Sequence, residues 1–321
     1  MKNRYNTEQL LTPSGKPLQT KFVTIDESHV GQRIDNFLIN QLKGVPHSRI
    51  YRALRKGEVR VNKGRVQAVY RLKMGDSVRL PPLRVSDSVT PTPSARLGDL
   101  LKESVIFENN DFIVLNKPAG LAVHGGSEVA CGLIEAFRYI RPDIKDLSLV
   151  HRLDRDTSGC LLLAKNRTTL LAFQALQKTQ AIQKNYLLLV KGHWSLGKKR
   201  IKLALTKNKL QDGERMVIAD DEGKPSETWF EPVNYFDETT LLRATLVTGR
   251  THQIRVHVAH VGYPIVGDVK YGDRDFNRQF IKQYRSKRLF LHAEKLVFSL
   301  PTSKKPYTFI APVADDFENI V

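Results

Sequence analysis

The chain has 321 residues, 41% of them hydrophobic, which is enough to bury two ordinary cores and suggests about two domains. No apolar run approaches the ~20 residues of a membrane-spanning helix, and MKNRYNTEQLLTPSGK lacks the apolar centre of a secretion signal, so a cytoplasmic protein with no membrane partner is expected. Lys and Arg number 51 against 33 Asp and Glu, and the resulting net charge of +18 favours a polyanionic partner.

Residues 1–20 are polar, with Thr12, Pro13, Ser14, Gly15 and Pro17 close together, and read as a flexible tail. Residues 21–86 read as a small module. In RIDNFLINQL, Ile34, Phe37, Leu38 and Leu42 form one apolar stripe at helical spacing. After Pro46, Ser48 is placed to cap a second helix, SRIYRALRKG, with Ile50, Ala53 and Leu54 inward and Arg49, Arg52, Arg55 and Lys56 outward. Gly57 is positioned as the helix stop. Asn62-Lys63-Gly64 then predicts a tight turn carrying Arg60, Lys63 and Arg65, and DSVRL a closing strand. Residues 21–88 hold 14 Lys/Arg against 6 Asp/Glu, so net charge concentrates here. A basic helix beside a basic hairpin suits a phosphate backbone better than it suits a merely solvated face.

SDSVTPTPSA marks a linker over 87–102. The remainder, 103–321, is one larger domain. VIFENNDFIVLNKP reads as two strands around Asn109-Asn110-Asp111. GLIEAFRYIR and TTLLAFQALQK read as helices. CLLLAK, YLLLVKG, TWFEPVNYF, TLLRATLV and LFLHAEKLVFSL read as strands. Strands outnumber helices without regular alternation, which predicts an α+β domain on a largely antiparallel mixed sheet.

Four polar clusters interrupt these elements: NKPAGLAVHGG (116–126), HRLDRDTSG (151–159), QKNY (183–186) and TGRTHQIRVH (248–257). The second is a loop feeding a strand, a common place for catalysis. Its Asp154, between Arg152 and Arg155, is expected to be an ionised nucleophile or base. Equally, Asp154, Asp156, Thr157 and Ser158 can simply hydrogen-bond a turn. RTHQIRVHVAHV can run as a helix that offers Arg255 to a carboxylate from another segment, or to an ordinary surface pair. Tyr186 opens a strand, either as core or as a platform for a base. His252, His257 and His260 lack zinc-hydrolase spacing, and no metal site is expected. The Asp154/Asp156 pair is a short, weak magnesium signal, and no dinucleotide or phosphate-loop motif occurs.

HRLDRDTSG, QKNY and GRTHQIRVH in that order, with NKPAGLAVHGG before and LFLHA after, resemble the RluA family of pseudouridine synthases across about 25–315. The helix, basic helix, VRVNKGRV order resembles the alpha-L RNA-binding module. The resemblance implies a pseudouridine synthase fold behind that module, and it implies roles. Asp154 would be the catalytic carboxylate and Arg152 would push into the RNA stack. Tyr186 would stack on the flipped uracil, Arg255 would pair with Asp154, and Ile254 and Leu291 would line the pocket. It implies isomerisation of uridines in large-subunit ribosomal RNA or its assembly precursor, with no cofactor. A monomer is expected apart from the resemblance, for want of any contrary signal in the sequence. The rivals are a non-catalytic RNA-binding assembly factor, a nucleic-acid hydrolase using Asp154 and Asp156, and a glycoside hydrolase, for which no second carboxylate presents itself.

Overall fold

The computed structural model describes residues 20–42, 45–83, 92–125, 131–209, 215–301, 303 and 305–320. Residues 1–19, expected as a tail, lie outside them. The chain divides into two compact units, 1–91 and 92–321.

The first unit runs β1 (Lys21–Thr24), α1 (Ile34–Gln41), α2 (His47–Lys56), β2 (Arg60–Val61) and β3 (Ser77–Leu80), with the strands ordered β1-β3-β2. Ile34, Phe37 and Leu38 of α1 meet Ile50, Ala53 and Leu54 of α2 in one buried core with Val59, Val61 and Val78. The start of α2 differs from expectation: its N-cap is Pro46, with no side-chain cap bond, and Ser48 lies within the helix. Proline's fixed φ already suits the entry to a helix, so no hydroxyl is needed to set it. Gly57 ends the helix in the left-handed region at φ 69°. Asn62 and Lys63 both have positive φ, 48° and 69°, and Val61 and Gly64 exchange backbone hydrogen bonds of 3.0 and 2.8 Å across them. That is the geometry of a primed turn.

The second unit opens with a difference. Within the expected linker, Ala95–Glu103 is a helix, α3, capped by Ser94, whose Oγ accepts the Leu97 N–H at 3.2 Å. It buries Gly98 and Leu101. Ser, Thr and Pro ahead of this segment mask two apolar positions at helical spacing. There follow β4 (Val105–Glu108), β5 (Phe112–Lys117), α4 (Leu133–Ile140), β6 (Ser148–Leu149), β7 (Ser158–Ala164), α5 (Arg167–Lys178) and β8 (Gln183–Lys191). Then come β9 (Lys199–Lys209), β10 (Arg215–Ala219), β11 (Lys224–Tyr235), β12 (Thr239–Leu246), α6 (Gln253–His260), α7 (Arg274–Tyr284), β13 (Leu291–Phe298), β14 (Tyr307–Ile310) and α8 (Asp315–Glu318). The strands form one sheet in the order β10-β9-β11-β12-β8-β13-β7-β5-β4, with β14 on β13 and β6 on β7. All pairings are antiparallel except β13 with β7. This is the α+β, largely antiparallel mixed architecture that the strand pattern predicts.

Every residue of β7 is buried, as expected for a strand covered on both faces. At its start Gly159 has φ 106°, and a Cβ there would lie 2.3 Å from the Ala293 carbonyl oxygen of β13. The parallel junction of β7 and β13 therefore needs a glycine. Gly159→Ala should lower unfolding free energy by at least about 2 kcal/mol, measured by urea titration. Unchanged stability would show that the junction tolerates a side chain.

Candidate active site

The loop 150–157 precedes β7 and is anchored at both ends. Val150 N–H donates to Leu162 O, Gln177 Nε2 donates to Val150 O at 2.6 Å, and His151 Nε2 accepts the Leu162 N–H at 3.3 Å. Lys117, fully buried at the end of β5, donates to the carbonyls of Pro118 (2.7 Å), Leu121 (2.8 Å) and Arg155 (2.9 Å). Burial pulls its pKa down to about 7. One lysine thus staples the 117–121 loop to the loop bearing Asp154.

Beyond the loop, Ser158 Oγ lies 2.9 Å from His292 Nδ1 and accepts from Arg288 at 2.7 Å. His292 Nε2 faces the Ala311 carbonyl at 3.0 Å. A carbonyl only accepts, so Nε2 carries the proton and Ser158 donates to Nδ1. The neutral imidazole locks β7 to β13 directly behind the loop.

Asp154 projects into a cleft of about 1030 Å³ with its side chain 28% exposed. Arg255 Nη1 meets its Oδ2 at 3.2 Å. The sequence neighbours do not perform that role: Arg155 turns to Asp156 (3.0 Å), while Arg152 is exposed at the cleft wall. Adjacent residues in a turn point apart, so the partner comes from a distant helix.

Arg255 is itself held. Its Nε and Nη2 donate to the two carboxylate oxygens of Asp268 at 2.7 and 2.8 Å, and its guanidinium lies 5.0 Å from the Tyr271 ring centre. Asp268 is fully buried and accepts the N–H groups of Lys270 and Tyr271 at 2.9 and 3.0 Å. Burial pushes the Asp268 carboxyl up, but the Arg255 bonds outweigh it and hold its pKa below the usual carboxylate range. Burial likewise opposes the Arg255 charge, and Asp268 more than restores it. Asp268 is absent from the sequence expectation. Its only local signal is two flanking glycines, and an added Cβ would strike Arg288 O at Gly267 and Asp268 O at Gly272.

Helix α6 starts later than the pattern suggests, at Gln253 rather than Arg250. The Gln253 side chain accepts from Arg250 N–H and Thr248 Oγ1 and donates to Glu227 O and Thr228 Oγ1. These bonds keep 248–252 a turn, and His252 adopts a left-handed φ of 53°. His252 Nε2 lies 3.8 Å from Asp154. Burial lowers its pKa, against the pull of the Asp154 charge.

Tyr186, 7% exposed, lies on β8 and lines the cleft with Ile254 and Leu291. Burial raises its hydroxyl pKa, so the ring is a neutral platform. The cleft gathers Arg152, Lys178, Lys184, Lys207, Arg250 and Arg255, with Asp154 the one carboxylate among its described residues. Such a wall suits a polyanion, and among the described residues it offers no second carboxylate for glycoside hydrolysis. Asp156 does not line the cleft, which weakens the two-aspartate magnesium reading. Among the described residues no group of three His, Cys, Asp or Glu could hold a metal. His257 instead packs against Ser226 at 2.7 Å.

In the small unit, Arg52, Arg55, Lys56, Lys63 and Arg65 are exposed. Arg49 is half-buried and paired with Glu58 at 2.7 Å. Arg60 is also half-buried, donating to Gly57 O at 3.2 Å. Five of the seven candidate RNA contacts therefore stand open, while two are also tied into the module.

The buried groups have measurable consequences. Asp268→Asn leaves Arg255 with one fewer buried counter-charge and should cost about 3 kcal/mol of stability. It should also lower turnover more than RNA affinity, as single-turnover kinetics and filter binding would show. Equal losses in both would deny Asp268 its positioning role. Burial holds His257 down to about 4 and lowers His292 as well. His257 therefore stays neutral in the fold down to about 4 and His292 takes up a proton less readily than a free imidazole, whereas unfolded imidazoles protonate near about 6.5. Their contribution is complete above that pH. As pH falls from about 6.5 towards 5, stability should drop by up to about 1.4 kcal/mol per unit per histidine. Urea unfolding at pH 7.5 and 5 measures this, and equal stability at both would refute it.

Known proteins resemble this chain in both sequence and fold. A family model described as RNA pseudouridylate synthase matches residues 111–260, and the S4 domain model matches 32–78. The ribosomal large subunit pseudouridine synthase C of Pasteurella multocida is 48% identical over 303 residues, covering 94% of this chain and 93% of that protein. Its counterpart of the same description in Escherichia coli is 49% identical over 296 residues, covering 91% and 93%. Among solved structures, human RNA pseudouridylate synthase domain containing 1 aligns with a TM-score of 0.55 at 27% identity, over 65% of this chain and 83% of that one.

Proposed function

The chain belongs to the RNA pseudouridylate synthase family, and from that premise we propose that it converts uridines of large-subunit ribosomal RNA to pseudouridine, with Asp154 as the catalytic carboxylate. One observation supports this most: the one carboxylate among the described residues of the cleft is gripped by a buried arginine, and the rest of that wall is rich in cations.

The reaction breaks the N1–C1′ bond, turns the uracil, and joins C5 to C1′. Atoms and electrons balance within the nucleotide, so neither a group donor nor a redox partner is called for. The base must first leave its stack, at a cost of a few kcal/mol. Tyr186 offers a flat, neutral face that returns roughly 1–3 kcal/mol by stacking. Arg152, two residues before Asp154 and exposed, is placed to fill the gap in the RNA. Ile254 and Leu291 close the sides of the base pocket. Arg255 fixes the rotamer of Asp154, which then attacks the sugar or the base, or removes a sugar proton.

The small module, read as 21–86, supplies sequence-independent grip on phosphates through Arg52, Arg55, Lys56, Lys63 and Arg65, with Arg49 and Arg60 as shared contacts. Region 103–321, together with α3, carries the chemistry. Among the described residues no helix is long and apolar enough to cross a membrane, and we place the activity in the cytoplasm with ribosome assembly.

Asp154→Asn preserves shape while removing the carboxylate. It should lose at least about 10³-fold in turnover while RNA affinity stays nearly unchanged. Pseudouridine mapping of large-subunit RNA transcripts treated with each protein checks both the reaction and the residue. Full conversion by Asp154→Asn would remove Asp154 from its role. RNA binding by the wild type with no new pseudouridine would favour a non-catalytic assembly factor.

A further inference from the structure

The cleft contains a cation that neither the fold nor the catalytic carboxylate engages. Lys184 precedes Tyr186 by two residues on β8, so strand alternation puts both on one face, and both line the cleft. Three other buried or partly buried lysines of this unit are satisfied. Lys117 caps three carbonyls, Lys165 pairs with Glu108 at 2.7 Å, and Lys191 pairs with Asp273 at 2.6 Å. The Lys184 ammonium has no ion pair or hydrogen bond among the described residues. Burial pulls its pKa down with nothing opposing it. Nearby His151 offers no compensation: burial first, and then the Lys184 charge, hold that imidazole down to about 3. Asp154, for its part, is engaged by Arg255.

An ammonium set into a cleft wall without a counter-ion is costly in the empty protein. That cost is relieved when an anion arrives. Uracil is neutral, so the anion an RNA brings is its phosphodiester. Side chains two residues apart on a strand are separated by roughly 6.5–7 Å, a span that reaches from a stacked base to a phosphate beside its ribose.

We propose that Lys184 is a substrate-binding residue that grips a backbone phosphate flanking the uridine whose base stacks on Tyr186. This rests on the pseudouridine synthase reading above. The contact sets the register of the nucleotide in the cleft, so that its C1′ comes to Asp154.

The test is a cycle between the side chain and the phosphate. Dissociation constants are measured for the full chain and for Lys184→Gln and Lys184→Arg. The probes are large-subunit RNA fragments with one methylphosphonate on the 5′ or the 3′ linkage of the target uridine. A 2′-deoxynucleotide sits on the 5′ side of that linkage in charged and neutral versions alike. One of the two neutral linkages should weaken wild-type binding roughly ten-fold. Lys184→Gln should weaken binding of the charged RNA to the same degree, and the two changes together should cost no more than either alone. Lys184→Arg should keep the sensitivity to charge. Penalties that multiply at both linkages would overturn the proposal, because a merely structural lysine is blind to which linkage is neutral. Failure of the wild type to make pseudouridine in any all-ribose fragment would overturn the underlying reading instead.

Discussion

Arg255 stands between two aspartates, and the site depends on that arrangement. Asp268, fully buried, takes two of its donors at 2.7 and 2.8 Å; Asp154, 28% exposed, takes a third at 3.2 Å. The inner pair is the tighter and is enclosed by Tyr271 and two backbone N–H groups. A guanidinium forked onto one carboxylate has its plane fixed, and its remaining edge is then aimed. The outer aspartate therefore meets a donor whose direction was set elsewhere. A lysine could supply the charge here but not the direction.

The scaffold serves that aim from the other side. Asp154 sits on a turn just before β7, whose residues are all buried. Lys117 ties the turn to the end of β5, and the Arg288–Ser158–His292 chain ties the start of β7 to β13. The sheet brings β8 alongside β13, which sets Tyr186 and Leu291 beside the carboxylate. Three elements far apart in sequence thus converge on one cleft, and the cleft's cations draw in the polymer on which it acts.

The legible parts of this structure are those with local signals. The α1 and α2 stripes, the Gly57 stop and the Asn62-Lys63 turn follow from spacing and turn chemistry alone. Asp154 and Arg255 stand out because polar residues interrupt apolar runs. The pairing of the two, however, comes from resemblance, since nothing local joins residues 101 positions apart. Asp268 is hidden for the same reason: its partner is distant, and a carboxylate between glycines reads as an ordinary turn. Helix α3 is masked by Ser, Thr and Pro ahead of it. Strands β9 and β10 escape because Lys199–Lys209 intersperses Lys and Arg among its apolar residues and lies next to the edge strand β10, so no continuous hydrophobic run marks it. Lys184 looks like one basic residue among many until the strand places it inside the cleft.

The most direct test of the central claim is a structure of the enzyme bound to a fragment of large-subunit RNA that it modifies. One nucleotide should stand out of its stack, its base on the Tyr186 ring and its ribose against Asp154, with Arg255 still forked onto Asp268. A target base left within the RNA helix, or an Asp154 turned away from the ribose with Arg255 released, would contradict it.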